Sequence, residues 1–367
     1  MTQLDHLRAR VRAFLAEELA ERRFTPHCDS WLVGNDRAFS RRLGAQHLIG
    51  LMLPTEFGGG GGGVADRLVV SEELLAAGAP VAAHWFAERQ FAPSLLRHGT
   101  SAQQLEWLPR ITGGEACIAI GLSEPDAGSD LAAVRTRAVA SEGGWRITGT
   151  KIWTSGAHLA DAMVVLARTG GERHAGLTQF IVRLPNPDVT VRPIRLISGE
   201  HHFNEVSFTE AFVPDADVLG EIGNGWTQAM QELAFERAGP ERYLSTLPLL
   251  QAMVEGLGPQ PADPGAVGRI IADISTFRVV NQRVIEHLAA GDTAAIDIAM
   301  LKSSATAFEQ RSVAVALDLA ADPGRVSPPS TEAATLLRES QFQAPGFTIR
   351  GGTNEVLRGI VSKGLLR

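Results

Sequence analysis

Apolar residues recur at helical spacing at both ends of the chain and at every second position in its middle, which predicts a strand domain set between two helical regions. Leu4, Leu7, Val11, Phe14, Leu15 and Leu19 mark a first helix whose other face carries Glu17, Glu18, Glu21, Arg22 and Arg23. Pro26 ends it, and a helical pattern resumes over residues 35–43. The same spacing returns over 64–77, 84–98 and 101–111. Ser101 with Gln104 reads as a capping box, and Thr112-Gly113-Gly114-Glu115 closes the region. From Cys117 to about Leu219 the period is two, with strands expected at 162–167, 178–182, 189–191 and 205–208, while Pro185, Pro187 and Pro193 exclude helix. His201-His202 reads as a solvated turn in this region. Beyond Trp226 the helical spacing returns over 270–288, 294–319 and 331–342, interrupted at 258–265 and at Asp322-Pro323-Gly324. The expected domains are 1–115, helical; 116–220, β; and 221–367, a helical bundle.

Within this plan the densest chemistry lies over residues 118–156. A short apolar run, Ile118 to Leu122, stops at Ser123-Glu124-Pro125, and Asp126-Ala127-Gly128-Ser129-Asp130 has the composition of successive turns. Trp145 to Gly149 and Lys151 to Trp153 then alternate, with Gly-Gly before them and Gly-Thr between them, which predicts a hairpin carrying Trp153. Together, GLSEPDAGSD and GGWRITGTKIWTSGA resemble the acyl-CoA dehydrogenases. FTEAFVPDADVLGEIGNGW and the C-terminal PGFTIRGGTNEVLRGIVSKGLLR are similar to the same family, so the resemblance runs the length of the chain. It implies a helical N-terminal domain, a β-barrel or sandwich domain and a C-terminal helical bundle, with FAD at their junction and acyl-CoA on its other face. Ile120, Leu122, Ser123, Trp153 and Ser155 would then hold the flavin, with Thr353 and Glu355 also reaching cofactor, and Ser129 and Arg237 would meet substrate. Fixed N–H and O–H donors at the pyrimidine edge make chemical sense, because reduction places negative charge there.

Composition narrows the alternatives. The chain has 367 residues, 44% hydrophobic and 20% charged, with a formal net charge of -7 and no basic run, which argues against a nucleic-acid surface. Cys28 and Cys117 stand alone, excluding a disulfide framework and a sulfur-based metal site; His84 and His98 lack a second ligand at helical spacing, so no metal is expected. No apolar run is long enough for a membrane span and no leader pattern opens the chain, so the cytoplasm is the expected location. Six glycines, Gly58 to Gly63, lack the preceding strand and the Lys of a phosphate loop and read as a flexible loop.

Dehydrogenating a thioester removes an α-proton while the β-hydrogen leaves as hydride, so one carboxylate is required. Most members of the family place it two residues before the Thr of the C-terminal signature, where this chain has Gly351. A smaller set, including isovaleryl-CoA and long-chain enzymes, supplies a Glu before an Arg on the helix after the β domain, and Glu236-Arg237 matches it. Glu236 is the candidate base, with Glu232 and Glu241 as neighbours. Pro240 removes the helical bond to the Glu236 carbonyl and should bend the helix there. Gly351 keeps its N–H as a donor to the thioester carbonyl. The Arg-x-x-Phe-Gly and Gln-x-x-Gly-Gly-x-Gly stretches that reach a neighbour's FAD have no counterpart here, as in shortened bacterial members that work as unlike pairs. The resemblance therefore implies α,β-dehydrogenation of an acyl-CoA with electrons passing to an electron-transfer flavoprotein, in a homodimer, a homotetramer or a heteromer with an unlike subunit. The alternatives are a half-site or non-catalytic partner subunit, and a flavin oxidase or monooxygenase on the same scaffold.

Overall fold

The computed structural model describes residues 2–290 and 294–366, the side chains of Phe235 and Ala289 excepted. Its helices before the sheet are α1 (Gln3–Ala20), α2 (Ser30–Val33), α3 (Arg37–Ala45), α4 (Val64–Ala76), α5 (Ala82–Phe86), α6 (Ala92–His98) and α7 (Ser101–Thr112). The sheet comprises β1 (Ile118–Gly121), β2 (Arg137–Ser141), β3 (Gly144–Ser155), β4 (Ala162–Arg168), β5 (Leu177–Arg183), β6 (Val189–Ile194), β7 (Phe203–Pro214) and β8 (Val218–Leu219). Their order is β6-β7-β3-β2-β4-β5-β8, and β1 pairs in parallel with β4. After it come α8 (Gly225–Arg237), α9 (Leu247–Val254), α10 (Pro264–Ala289), α11 (Ala295–Ala320), α12 (Thr331–Phe347) and α13 (Asn354–Leu365). This is the helix, sheet, helix order that the periodicity predicts.

Contacts divide the chain into two compact units. The first, Asn35–Gly62 with Val81–Leu233, contains the sheet, α3, α5 to α7 and most of α8. Its central strands β4 and β5 are buried on both faces, which suits the near-continuous apolar run of β4. Ala162, Val164 and Ile181 face a core with Phe91, Trp107 and Leu108, whereas Met163, Val165, Phe180 and Val182 face another with Ile147, Val206 and Ala211. Phe91 and Trp107 meet edge to face at 5.6 Å. The second unit, Met1–Gly34, Gly63–Pro80 and Ala234–Arg367, joins α1, α2 and α4 to the C-terminal helices. Leu68 of α4, Val284, Ile285 and Leu288 of α10, and Ile298 and Leu301 of α11 form its core.

Three local expectations need correction. Gly149-Thr150 is no turn: β3 runs through it as one strand, and the hairpin turn is Glu142-Gly143 between β2 and β3. Gly149 is needed there because a Cβ would stand 2.4 Å from Thr136 Oγ1. The capping box on α7 is Thr100 with Gln103, one residue earlier than expected. Finally, α8 stops at Arg237 instead of bending, and Pro240 opens a 3-10 turn, Pro240–Arg242. The six-glycine run forms a loop as expected, and its main chain is tied down: Gly60, Gly61 and Gly62 donate to the carbonyls of Gly50, Leu53 and Leu51.

Gly44 shows close packing deciding a residue. Within α3 an alanine would favour helix by about 1 kcal/mol, yet its Cβ would lie 2.4 Å from the main-chain carbon and oxygen of Gly113. The clash outweighs the propensity, because main chain on the opposing side cannot rotate away. Gly44→Ala is expected to destabilise the chain by about 1–3 kcal/mol, read as a lower urea midpoint; a raised midpoint would refute it.

Candidate active site

In the unit holding the sheet, the first group of candidates comes together around one buried ion pair. Ile120 lies on β1, Leu122 and Ser123 follow it, and Trp153 and Ser155 end β3. Lys151 Nζ donates to Glu124 Oε1 at 2.9 Å and to the Leu122 carbonyl at 3.0 Å, and Ile152 N donates to the Ser123 carbonyl at 3.0 Å. Strand and turn are thereby stitched. Gly121 permits the approach, since a Cβ there would lie 1.8 Å from Met163 Cε and 3.4 Å from Lys151 Cγ. Glu124 also accepts from the main-chain N–H of Arg135 and Thr136 at 2.7 and 2.8 Å. Burial pushes its carboxyl upward, but the Lys151 charge and the N–H donors of Thr136 and Arg135 outweigh it and hold the group below the ordinary carboxylate range. Lys151 is pulled down to about 8 by burial, with Glu124 opposing. The donors gathered on Glu124 favour the ionic pair at neutral pH.

This stitching leaves Trp153 in an unusual state. A register shift between Lys151 and Thr154 against β7 puts Trp153 in the left-handed region at φ 58°, uncommon for a bulky side chain. Its indole remains 53% exposed and meets Phe203 edge to face. Asn204, fully buried, holds the bulge by donating to the Thr154 carbonyl at 2.9 Å. The adjoining His201-His202 is not a solvated turn: His202 is buried against Phe203 and its carbonyl accepts from Gly156, while His201 stacks on His158 and bonds Asn204. Ser129 lies exposed in the bend that follows Glu124 to Ala127.

The second group assembles in the unit holding the C-terminal helices. Because Pro240 has no N–H, the Glu236 carbonyl accepts instead from Arg242 Nε and Nη2 at 3.2 and 3.0 Å. Arg242 Nη2 also reaches Glu236 Oε1 at 3.0 Å, and its guanidinium lies over the Trp31 ring. The second Glu236 oxygen has no hydrogen-bond partner among the described residues, and the side chain keeps 17% exposure. Gly351, at φ 67°, lies beside it: a Cβ at this position would stand 3.0 Å from Glu236 Oε1 and from Arg242 Nη2. The Gly351 carbonyl accepts from Arg237 Nε at 2.9 Å, whereas its N–H has no partner among the described residues. Thr353 caps α13 by accepting from Val356 N, and Glu355 is exposed in the first turn of that helix. Glu232, by contrast, is buried and accepts from Gln179 Nε2 at 3.0 Å, and Glu241 is buried as well.

Sequence reasoning missed Lys151, Glu124 and Arg242. Their signals were faint: a lone Lys in a strand, an acid in a turn and an Arg two residues after a proline. Replacing Lys151 by Met keeps the volume and leaves Glu124 buried without its cation, a loss of about 3–5 kcal/mol. Urea unfolding of Lys151→Met measures it, and a loss below about 1 kcal/mol would contradict the pair's role. Because the Glu124 carboxyl is held low in the folded chain, its stabilisation is present at neutral pH and is lost as pH falls through that lowered value.

The chain is similar to known proteins along most of its length. Residues 2–115 match the acyl-CoA dehydrogenase N-terminal domain, 119–211 the middle domain and 255–366 the C-terminal domain. Acyl-CoA dehydrogenase IpdE1 of Mycobacterium tuberculosis is 42% identical over 246 residues, which is 65% of this chain and 64% of that protein. The match thus spans less than two thirds of that relative's length. Acyl-CoA dehydrogenase FadE29 of the same organism is 32% identical over 89% of this chain and 87% of its own. Among solved structures, the Tcur3481-Tcur3483 steroid ACAD superposes with a TM-score of 0.85 at 28% identity, covering 99% of this chain and 97% of that one. No helix among the described residues is long and apolar enough to cross a membrane. With every region of the family matched in order and the fold reproduced, the chain belongs to the acyl-CoA dehydrogenase family of oxidoreductases.

Proposed function

We propose that this chain carries out FAD-dependent α,β-dehydrogenation of an acyl-CoA thioester to the trans-2-enoyl-CoA, with Glu236 as the base and an electron-transfer flavoprotein as electron acceptor. The observation that carries the proposal is that the Glu236 carboxylate lies 3.0 Å from where a Cβ at position 351 would stand. The family's commoner base position is a left-handed glycine here, and the space its Cβ would need is in contact with the Glu236 carboxylate. A glutamate at 351 would meet both backbone strain and that carboxylate, so only one of the two positions can supply the base.

The residues also fit the cofactor. A half-exposed indole on a bulged strand offers a planar face, and Ile120, Leu122, Ser123 and Ser155 lie along the same stitched edge. Bound FAD would supply the two-electron acceptor. The chain's own residues do the rest. The unpaired Glu236 oxygen takes the α-proton, while Arg242 fixes the other oxygen. Gly351 N–H donates to the thioester carbonyl as the α-carbon loses its proton, an interaction commonly worth about 3 kcal/mol of barrier. Arg237 acts through the Gly351 carbonyl, and Ser129 is assigned to the thioester end of the substrate. Thr353 keeps its O–H as a donor beyond its capping role, and with Glu355 it is assigned to the cofactor.

Two experiments test this reading. Glu236→Gln is nearly isosteric and cannot accept the proton, so it should keep flavin and acyl-CoA binding while bleaching of the flavin by substrate falls by at least about 10²-fold. A variant with more than a tenth of the wild-type rate would place the base elsewhere. The missing Arg and Gln stretches imply that an unlike subunit completes the cofactor site, and the solved steroid ACAD is itself named as a Tcur3481-Tcur3483 pair. Light scattering should accordingly show a flavin-replete heteromer after co-expression with the unlike subunit. An active, flavin-replete homo-oligomer would defeat the unlike partner and leave the dehydrogenase reading in place.

A further inference from the structure

Lys302, on α11, is fully buried, yet among the described residues no carboxylate is a hydrogen-bond partner of its ammonium. Its ammonium donates to the Gly352 carbonyl at 2.7 Å and to Asn354 Oδ1 at 3.3 Å. Asn354, itself buried, donates back to the Ser303 carbonyl at 3.2 Å, and Thr306 Oγ1, one turn further along α11, also lies 3.2 Å from Asn354 Oδ1. One helix therefore grips the 351–354 turn by both side chain and main chain. The consequence is directional. Arg237 takes the Gly351 carbonyl and Lys302 takes the next one, so two consecutive carbonyls are fixed and the Gly351 N–H has no partner among the described residues.

We propose that Lys302 is a positioning residue: by holding the Gly352 carbonyl and Asn354 it sets the Gly351–Gly352 turn so that the Gly351 N–H is presented to the thioester carbonyl beside Glu236. This rests on the reading of Glu236 and Gly351 given above. A purely apolar side chain would fill the same volume better, since burying an ammonium without a directly paired anion is costly. The groups around it make the cost explicit. Burial, then Arg242 of the 240–242 turn, and further Arg350 after α12 and Arg237 at the end of α8, push Lys302 down, opposed by Glu236, to about 7. In the folded chain the amine is thus neutral above that pH, while the unfolded chain stays protonated up to the ordinary lysine value. Unfolding then takes up a proton between the two, so this group makes stability rise with pH across that window.

The test is Lys302→Met in the full chain, with three readings. Hydrogen exchange at the 351–353 amides should quicken, because the turn loses its anchor. The rate of flavin reduction by acyl-CoA should fall on the order of 10²-fold with KM changed less than about threefold, as expected for a misplaced donor rather than a lost binding contact. The rise of stability with pH above 7 should become shallower, leaving the part that Lys151 contributes above about 8. Unchanged exchange together with at least half the wild-type rate would overturn the proposal, as would a change confined to stability. Should the Met variant fail to fold, Lys302→Leu, which also lacks the N–H donor, is read by the same criteria. If the wild type reduces no flavin with any acyl-CoA while Glu236→Gln is equally silent, the dehydrogenase reading has failed; the exchange measurement still decides whether Lys302 holds the turn.

Discussion

Lys151 carries its ammonium where no water reaches, and such a charge is tolerated only when fixed acceptors replace its hydration. The acceptors here are Glu124 and the Leu122 carbonyl, both in the turn after β1. Glu124 in turn needs donors, which it finds in the main chain of Arg135 and Thr136 just before the next strand. One ion pair therefore fixes the turn, the end of β1 and the middle of β3 against each other. Everything assigned to the cofactor in that unit hangs from this lattice of bonds. The half-exposed Trp153 can occupy a costly backbone conformation because Lys151 on one side and Asn204 on the other leave it no alternative.

The unit with the C-terminal helices solves a different problem with the same physics. A helix that loses an N–H at Pro240 exposes a carbonyl at Glu236, and a buried guanidinium from Arg242 answers it. That guanidinium is also the partner of the Glu236 carboxylate, so the device that ends the helix orients the acid. Trp31, from the first residues of the chain, packs beneath Arg242, and Asp29 pairs with Arg350. A segment remote in sequence thereby supports the candidate base.

Cations outnumber anions around the Gly351 turn. Arg237, Arg242 and Lys302 each donate to its main chain or to Glu236, and among the described residues none of them hydrogen-bonds a carboxylate other than Glu236. A region that must stabilise developing negative charge gains from such an excess, provided the cations are held by hydrogen bonds rather than by anions that would cancel them. The glycines make the arrangement possible: at 351 and 352 the main chain approaches the guanidinium groups as no side chain would allow.

The sequence by itself determined the order of elements, because burial at period two or at helical spacing is written residue by residue and needs no knowledge of partners. It also carried the family motifs, and with them Glu236, Gly351 and Trp153, since these are local patterns of residue types. It misled where a local signal had two physical meanings. Gly149-Thr150 looks like a turn, yet the glycine answers Thr136 across the sheet; Pro240 looks like a kink, yet the helix ends there, because the folded-back side chain of Arg242 takes the Glu236 carbonyl that a bent helix would leave open. Only the tertiary structure decided which charges are buried together. Lys151 and Glu124 are 27 residues apart, and Lys302 lies 50 from Gly352. Such pairings are set by how whole elements dock, and the energy of a buried charge depends on that docking rather than on the residues beside it in the chain.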